Sequence, residues 1–294
     1  MARRIETGSS RTAAWTCTCR AASSLERDSH YHSDDHVALA LLPTLLKPVV
    51  RITPLVRLFM RFSGPPGIYE YVIARTKYID AVFAQALSDG FEQILLLGAG
   101  FDTRALRFEA EAVNSTIFEL DVPVTQQAKL GQYRRRGLTV PDNVVFVAID
   151  FDRDSLPEKL DEAGFHKGQR TLFVLEGVLM YLQPESAHET LQTIRDLAGP
   201  SSRVVFDYVH AAVLRQDLTA YGAEDIVETV AGADERWHFG IEEDEIEKFL
   251  AAHGLRLLDH KGTAALEAAY FTDEQGRRVG RINGTHSLVT AERV

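Results

Sequence analysis

Short apolar runs alternate with segments of helical pattern along the last two thirds of the chain. Seven of the runs are predicted strands, at residues 94–97, 116–120, 144–149, 171–175, 203–208, 255–260 and 286–291. Helices are predicted to begin at Asp102 and Pro123 and to cover residues 155–163, 184–197 and 242–252. Buried parallel strands read as continuous apolar runs, and their alternation with helices is typical of a sheet covered on both faces. The pattern predicts a seven-stranded, mostly parallel α/β fold in which the last strand can insert antiparallel.

The first ninety residues show a helical and irregular pattern without strands. The clearest helix covers residues 71–88, where an apolar stripe recurs at helical spacing at Val72, Thr76, Ile79, Phe83 and Ala86. Arg75 borders this stripe. We therefore expect residues 1–90 to form a helical cap on a sheet domain of residues 91–294, with both packed as one compact unit.

Composition and charge narrow the class of partner. The chain has 294 residues and a net charge of −10. A field of that sign repels phosphate backbones, whereas lysine and arginine contacts to phosphates supply most non-specific nucleic-acid affinity. The basic run at residues 134–136 is short and is interpreted as a solvated helix end. The composition therefore argues against a nucleic-acid partner, and it indicates nothing about oligomeric state.

Cysteine usage and hydropathy predict a cytoplasmic protein without a membrane segment. Cys17 and Cys19 are separated by one residue, a spacing that strains a disulfide, so both are expected to be free thiols. The first thirty residues lack the apolar run of a secretory signal. The most apolar stretch, residues 39–60, contains three prolines and three basic residues, which a membrane span tolerates badly.

A glycine turn directly follows the first predicted strand. Gly98 and Gly100 flank Ala99, and a glycine pair lets the backbone approach a ligand that a Cβ would exclude. In open α/β sheets the ligand lies beyond the carboxyl ends of the strands, where this turn falls. Thr103 stands at the third small position of a dinucleotide fingerprint and follows Asp102, so the turn favours a cationic ligand over a pyrophosphate.

Acidic residues end three further predicted strands. Glu119 and Asp121 lie about twenty residues beyond the glycines, where an acid can accept both hydroxyls of a ribose. They share one strand face, so either residue can hold the ribose. Asp150 ends the third strand beside Phe151, a pair that can frame an adenine ring, and Glu176 ends the fourth. Acids at the ends of adjacent parallel strands predict one nucleoside-binding cleft.

These residues belong to longer motifs. The chain resembles the leucine carboxyl methyltransferase-like proteins, which include bacterial polyketide and other natural-product O-methyltransferases. The similar segments are residues 10–13, 74–80, 97–104, 118–123 and 175–182. The glycine turn together with the Glu…Met-Tyr-Leu block of residues 176–182 is specific to that family. The resemblance implies a Rossmann-like class I methyltransferase fold and S-adenosyl-L-methionine as the cofactor.

The resemblance also implies roles for single residues. Arg75, with Arg11 as a second candidate, would hold the methionyl carboxylate of the cofactor in a charge-assisted pair. Without the resemblance, Arg75 would be interpreted as a surface arginine paired with Asp80 or another acid. The complete set of expected cofactor-binding residues is Arg11, Arg75, Gly98, Ala99, Gly100, Asp121, Asp150, Phe151 and Glu176.

The expected reaction is in-line transfer of the methyl group to an acceptor oxygen, with S-adenosyl-L-homocysteine as the product and no metal ion. Two residues are candidates for catalytic contacts. Tyr181 would line the methyl-transfer site by the resemblance, and His210 follows a predicted strand end on the ligand side of the sheet. His210 is interpreted as a base or a substrate contact, with a loop histidine satisfied by its own neighbours as the alternative.

A carboxylate of a small natural-product-like acid is the expected acceptor. Such a group is ionised at neutral pH and needs no base, whereas a hydroxyl or phenol usually does. A hydroxyl of a small molecule and a protein C-terminal carboxylate remain alternatives. Outside this class of enzyme, the alternatives are an NAD-dependent oxidoreductase and a non-catalytic cofactor-binding protein.

Overall fold

The computed structural model describes residues 11–42, 64–151, 153–232 and 235–294. All seven predicted strands are present, and each begins and ends within two residues of its predicted bounds. The strands are β1 (Gln93–Leu97), β2 (Thr116–Asp121), β3 (Val144–Ala148), β4 (Thr171–Leu175), β5 (Arg203–Val209), β6 (Leu255–Lys261) and β7 (His286–Arg293). The predicted α/β fold class is confirmed.

The strands form one sheet in the order β3-β2-β1-β4-β5-β7-β6. β1 to β5 run parallel, and β7 lies between β5 and β6 antiparallel to both. The expected antiparallel insertion of the last strand is thereby confirmed. Because β7 runs in the opposite direction, its first residue, His286, pairs with Val209, the last residue of β5. The beginning of β7 therefore lies at the edge where the parallel strands end.

Helices cover both faces of this sheet. They are α1 (Arg11–Ser23), α2 (Ala38–Leu41), α3 (Ile68–Ser88), α4 (Arg104–Arg107), α5 (Pro123–Arg136), α6 (Leu156–Glu162), α7 (Pro184–Leu197), α8 (Ala211–Leu214), α9 (Ala223–Gly232), α10 (Ile246–Ala252) and α11 (Thr263–Tyr270). Prolines stand in the first turn of α5, α6 and α7. Backbone N–H groups in a first turn have no intrahelical acceptor, so proline, which lacks the N–H, costs no hydrogen bond there. Helices α8, α9 and α11 are absent from the sequence prediction. None of the described helices has the length and apolar character to cross a membrane.

Two hydrophobic cores lie on opposite faces of the sheet, as strand alternation requires. Leu95 and Leu97 of β1 point into one core with α6, α7 and α10, while Ile94 and Leu96 point into the other. The second core also contains buried residues of α1, α2 and α3, among them the free thiols Cys17 and Cys19. The N-terminal helices thus pack directly on the sheet, and the division into a cap of residues 1–90 and a domain of residues 91–294 stays a prediction.

A buried ion pair fixes β2 against α5. Glu119 points away from the ligand edge into the protein, and its carboxylate accepts a hydrogen bond from Lys129 Nζ at 2.5 Å. Both side chains are at most 2% exposed. A buried charge is tolerated when it is paired, so each of these residues depends on the other.

We expect Lys129→Met to lower the unfolding free energy by up to about 3–5 kcal/mol, because it removes the cation beside the buried Glu119 carboxyl, whose pKa burial raises to about 7. The double variant Glu119→Leu/Lys129→Met should recover most of that loss, since apolar side chains of similar volume can replace a buried ion pair. Urea unfolding of the wild type and both variants measures the two differences. An additive, larger loss in the double variant would contradict the coupling.

Candidate active site

One large cavity, of about 950 Å³, lies at the carboxyl edge of the sheet between the strand ends and helices α1 and α3. Nine sequence-predicted residues line it: Arg75, Gly98, Ala99, Gly100, Asp121, Asp150, Phe151, Glu176 and Tyr181. Arg11 begins α1, but its side chain is outside the described part of the chain. His210 is not among the described residues that line the cavity. The structure therefore brings together all the described candidates except His210.

The glycine turn is held against β2 by its backbone. Gly98 and Gly100 have φ angles of +64° and +49°, which favour glycine, and a Cβ at Gly98 would lie 2.8 Å from the Val178 side chain. Ala99 N donates to Leu120 O at 2.9 Å, and Gly100 N donates to Asp121 Oδ2 at 2.5 Å. The turn thus presents a fixed backbone surface to the cavity.

The structure places Asp121 at the cavity and Glu119 away from it. Asp121 is half-buried and accepts N–H bonds from Gly100 and Val122, while Glu119 is paired with Lys129. Burial raises the pKa of the Asp121 carboxyl, and the two N–H bonds oppose that rise. A carboxylate offers about four acceptor positions, so Asp121 retains capacity for ligand hydroxyls.

Arg75 is buried in the cavity wall between two acids. Its Nη1 lies 2.7 Å from Asp207 Oδ2, and its Nε lies 3.2 Å from Glu176 Oε1. Nη2 has no hydrogen-bond partner among the described residues, and Arg75 lines the cavity. Asp80 is not the partner of Arg75, because it pairs with Arg104 and Arg107. The expected pairing with another acid is present through Asp207 and Glu176, but Arg75 is buried and not at the surface.

Asp207 joins three elements at the base of the cavity, and the sequence analysis missed it. This residue of β5 is fully buried. Besides Arg75, it accepts hydrogen bonds from the Tyr71 hydroxyl at 2.9 Å and from Gly177 N at 2.6 Å. The sequence signal for Asp207 was an acid within an otherwise apolar predicted strand. Such an acid is expected to be buried, and a buried charge needs a partner.

Asp102 has a role different from the one predicted. Its carboxylate is bonded to Arg104 Nη1 at 2.5 Å, and the same nitrogen reaches Glu176 at 2.8 Å. Burial opposes ionisation of Glu176, but Arg104 and Arg75 outweigh it and lower the pKa of this carboxyl. Both acids are therefore ionised and paired with arginine, so the charge of Asp102 is shared with Arg104 and is not offered alone to a cationic ligand.

Beyond Arg75 the cavity wall becomes aromatic. His286 lies between Tyr71 and Trp237, with its ring centroid 4.5 Å from that of Tyr71 and 5.2 Å from that of Trp237. Tyr181 and Trp15 complete this wall. Burial raises the pKa of Tyr181, so its hydroxyl stays protonated at neutral pH. The cavity thus has a polar end at the glycine turn and an apolar, aromatic end beside His286.

The side chain of His210 makes its contacts on the other side of β5 from the aromatic wall. Its Nε2 is 2.8 Å from Ser287 Oγ, and Ser287 in turn donates to Glu243 at 3.3 Å. His286 stands at the cavity instead, and the sequence analysis missed it. The predicted site residues follow the ends of parallel strands. His286 instead begins an antiparallel strand, which reaches the same edge of the sheet from the other direction.

Comparison with known proteins identifies the class. A family model described as "Leucine carboxyl methyltransferase" matches residues 13–195. A protein of Saccharopolyspora erythraea named "Putative S-adenosyl-L-methionine-dependent methyltransferase" is 30% identical over 225 residues, covering 76% of each chain. A Bacillus subtilis protein with the same description is 29% identical over 203 residues, which cover 69% of this chain and 66% of that protein. Other relatives match over about half of their length, such as 50% for one from Mycolicibacterium paratuberculosis.

Structural comparison agrees on the fold. The crystal structure of a "putative methyltransferase" from Thermobifida fusca superimposes with a TM-score of 0.58 at 18% identity. The match covers 81% of this chain and 88% of that one. A likeness at this identity supports the Rossmann-like class I methyltransferase fold and carries no information on substrate.

We expect Asp121→Ala to weaken S-adenosyl-L-homocysteine binding by about 1.5–3 kcal/mol, the usual loss for a hydrogen bond to a charged group. Isothermal titration calorimetry measures the change. The matched control is Glu119→Leu/Lys129→Met, which removes the neighbouring acid and should bind normally. The reverse result would mean that Glu119, not Asp121, holds the ribose.

Arg75→Ala should weaken S-adenosyl-L-homocysteine binding by a similar amount, about 1.5–3 kcal/mol, because the ligand carboxylate loses its charged donor. It should also destabilise the fold, since Asp207 and Glu176 lose their shared cation. Adenosine lacks the carboxylate and serves as the control ligand in the same titration. Equal losses for the two ligands would show that Arg75 supports the cavity without touching the carboxylate.

Proposed function

The chain belongs to the leucine carboxyl methyltransferase family, and from that premise we propose that it transfers a methyl group from S-adenosyl-L-methionine to an oxygen of a small, largely apolar molecule. The observation that carries the proposal is that one continuous cavity has two parts. The first is formed by the glycine turn and the strand-end acids, and the second is an aromatic compartment. Its volume of about 950 Å³ is at the upper end of the range of roughly 300–1,000 Å³ for small-molecule sites, as suits two ligands bound together.

The polar end fits the cofactor. S-adenosyl-L-methionine supplies a methyl group that its sulfonium has already activated. Asp121 would accept the ribose hydroxyls with its remaining acceptor positions, and Asp150 with Phe151 would flank the adenine. Arg75 Nη2 would bind the methionyl carboxylate, and Glu176 would lie near the amino group. In this arrangement the chain's task is to orient two reactants rather than to activate one of them.

The aromatic end fits the body of the acceptor. Trp15 and Ile68 come from the N-terminal helices, while Trp237 and Tyr181 come from the sheet domain, and all four line the cavity. Residues 1–90 would therefore act as a cap that encloses the acceptor and limits access of water. Apolar and aromatic walls with a few polar groups are typical of sites for small organic ligands.

Two oxygen groups compete as the methyl acceptor. A carboxylate, the sequence prediction, needs no base, and the family's description as carboxyl methyltransferases favours it. That prediction also depended on finding no base in the site except His210. The structure places His286 in the wall of the cavity, so a hydroxyl has a partner for its proton. The geometry supports a hydroxyl best, with a carboxylate as the second candidate.

A matched pair of probes separates the two acceptors. We expect the wild-type protein, given methyl-labelled S-adenosyl-L-methionine, to label 2-naphthol in preference to 2-naphthoic acid, because only the hydroxyl can donate a hydrogen bond to an unprotonated imidazole. Scintillation counting before and after mild alkali measures the product, since a methyl ester releases methanol under alkali and a methyl ether survives. An alkali-labile product from 2-naphthoic acid would establish the carboxylate instead. Labelling of neither probe would contradict transfer to this class of molecule.

A further inference from the structure

His286 is a buried histidine that the cavity wall holds in one orientation. It is 4% exposed, and its ring stacks on Tyr71 and meets the edge of Trp237. Burial, together with the positive charge of Arg75 nearby, lowers the pKa of His286 well below the usual histidine value. The imidazole is therefore neutral at neutral pH, and one of its two nitrogens carries a proton while the other carries a lone pair.

Asn283 determines which nitrogen carries the proton. Its side-chain Nδ2 donates to two backbone carbonyls, Pro66 O at 3.0 Å and Gly222 O at 3.1 Å. Carbonyl oxygens accept only from the amide nitrogen, so these two bonds fix the orientation of the amide. Asn283 Oδ1 consequently faces the buried Thr285 and accepts a hydrogen bond from its hydroxyl at 2.5 Å.

Thr285 transmits this constraint to the ring. Its hydroxyl has a single hydrogen, and Asn283 receives it, so the hydroxyl oxygen can only accept from His286 Nδ1 at 2.7 Å. Nδ1 therefore carries the ring proton, and Nε2 carries the lone pair. Nε2 has no hydrogen-bond partner among the described residues, and the ring lines the cavity. The chain thus presents an unprotonated nitrogen at the aromatic end of the site.

We propose that His286 Nε2 accepts the proton of a hydroxyl acceptor and that His286 is thereby a catalytic residue of this site. A hydroxyl can donate a hydrogen bond to Nε2, whereas an ionised carboxylate has only lone pairs to place against it. This inference rests on the proposed function. As the acceptor oxygen forms its bond to the methyl carbon, the methyl–sulfur bond breaks with its electron pair kept by sulfur. The hydroxyl proton passes to Nε2, and the imidazolium later releases it to solvent.

The protonation of the ring can be measured without any acceptor. Nitrogen-15 NMR of the full chain bound to S-adenosyl-L-homocysteine distinguishes the two neutral tautomers, and the resonance lost in His286→Gln identifies this ring. We expect the Nδ1–H form in the wild type. In Thr285→Val, which removes the hydroxyl at nearly constant volume, we expect a mixture of the two forms. The Nε2–H form in the wild type would overturn the inference.

Kinetics with 2-naphthol test the role in catalysis. Loss of a general base typically costs 10²–10⁴ in rate, so His286→Gln should lower kcat by about a hundredfold or more. S-adenosyl-L-homocysteine should bind that variant as it binds the wild type, which shows that the fold and the polar end are intact. Thr285→Val should fall between the two. The matched control, His188→Gln, changes an exposed histidine of α7 outside the cavity and should keep the wild-type rate.

Two kinetic results would overturn the inference while leaving oxygen methylation standing. One is a His286→Gln variant that methylates 2-naphthol at the wild-type rate. The other is a preference for 2-naphthoic acid that is the same with and without His286. Failure of the wild type to bind S-adenosyl-L-homocysteine would instead contradict the proposed function, and the tautomer measured in the free chain would decide the His286 inference separately.

Discussion

The candidate site depends on the buried carboxylate of Asp207. It accepts hydrogen bonds from Tyr71 and Arg75 of α3 and from the backbone that follows β4, so it ties the N-terminal helices to the centre of the sheet. A charge buried this deeply is stable only with close partners, and Arg75 has the same requirement from the other side. The same contacts therefore fix both the position of α3 on the sheet and the position of Arg75 in the cavity wall.

Around this carboxylate the charges form a continuous network. Arg104, which is fully buried, contacts Asp80, Asp102 and Glu176, and Glu176 continues to Arg75. Because these charged side chains are paired with one another, few unpaired charges remain at the surface of the cavity. The ligand consequently meets fixed dipoles and hydrogen-bond groups that need little reorganisation, which is the arrangement that favours group transfer between two bound molecules.

The sheet could be predicted from sequence because buried parallel strands leave continuous apolar runs, and the glycine turn and Asp121 followed from their places after β1 and β2. The sequence left the choice of ribose acid open, because Glu119 and Asp121 share a face by alternation. Only the tertiary contact of Glu119 with Lys129 distinguishes them. His286 and Asp207 were missed for a similar reason, since their meaning comes from neighbours distant in sequence.

The antiparallel insertion of β7 divides the site along the chain. The glycine turn, Asp121 and Glu176 all fall within the segment matched by the family, residues 13–195, whereas Trp237 and His286 fall after it. Trp237 and His286, two of the residues that we propose contact the acceptor, thus lie in a later stretch of the chain than the residues proposed for the cofactor, while Trp15, Ile68 and Tyr181 of the same end lie within the earlier stretch. Substitutions in the later stretch would therefore reshape one side of the proposed acceptor site and leave the residues proposed for the cofactor unchanged in sequence.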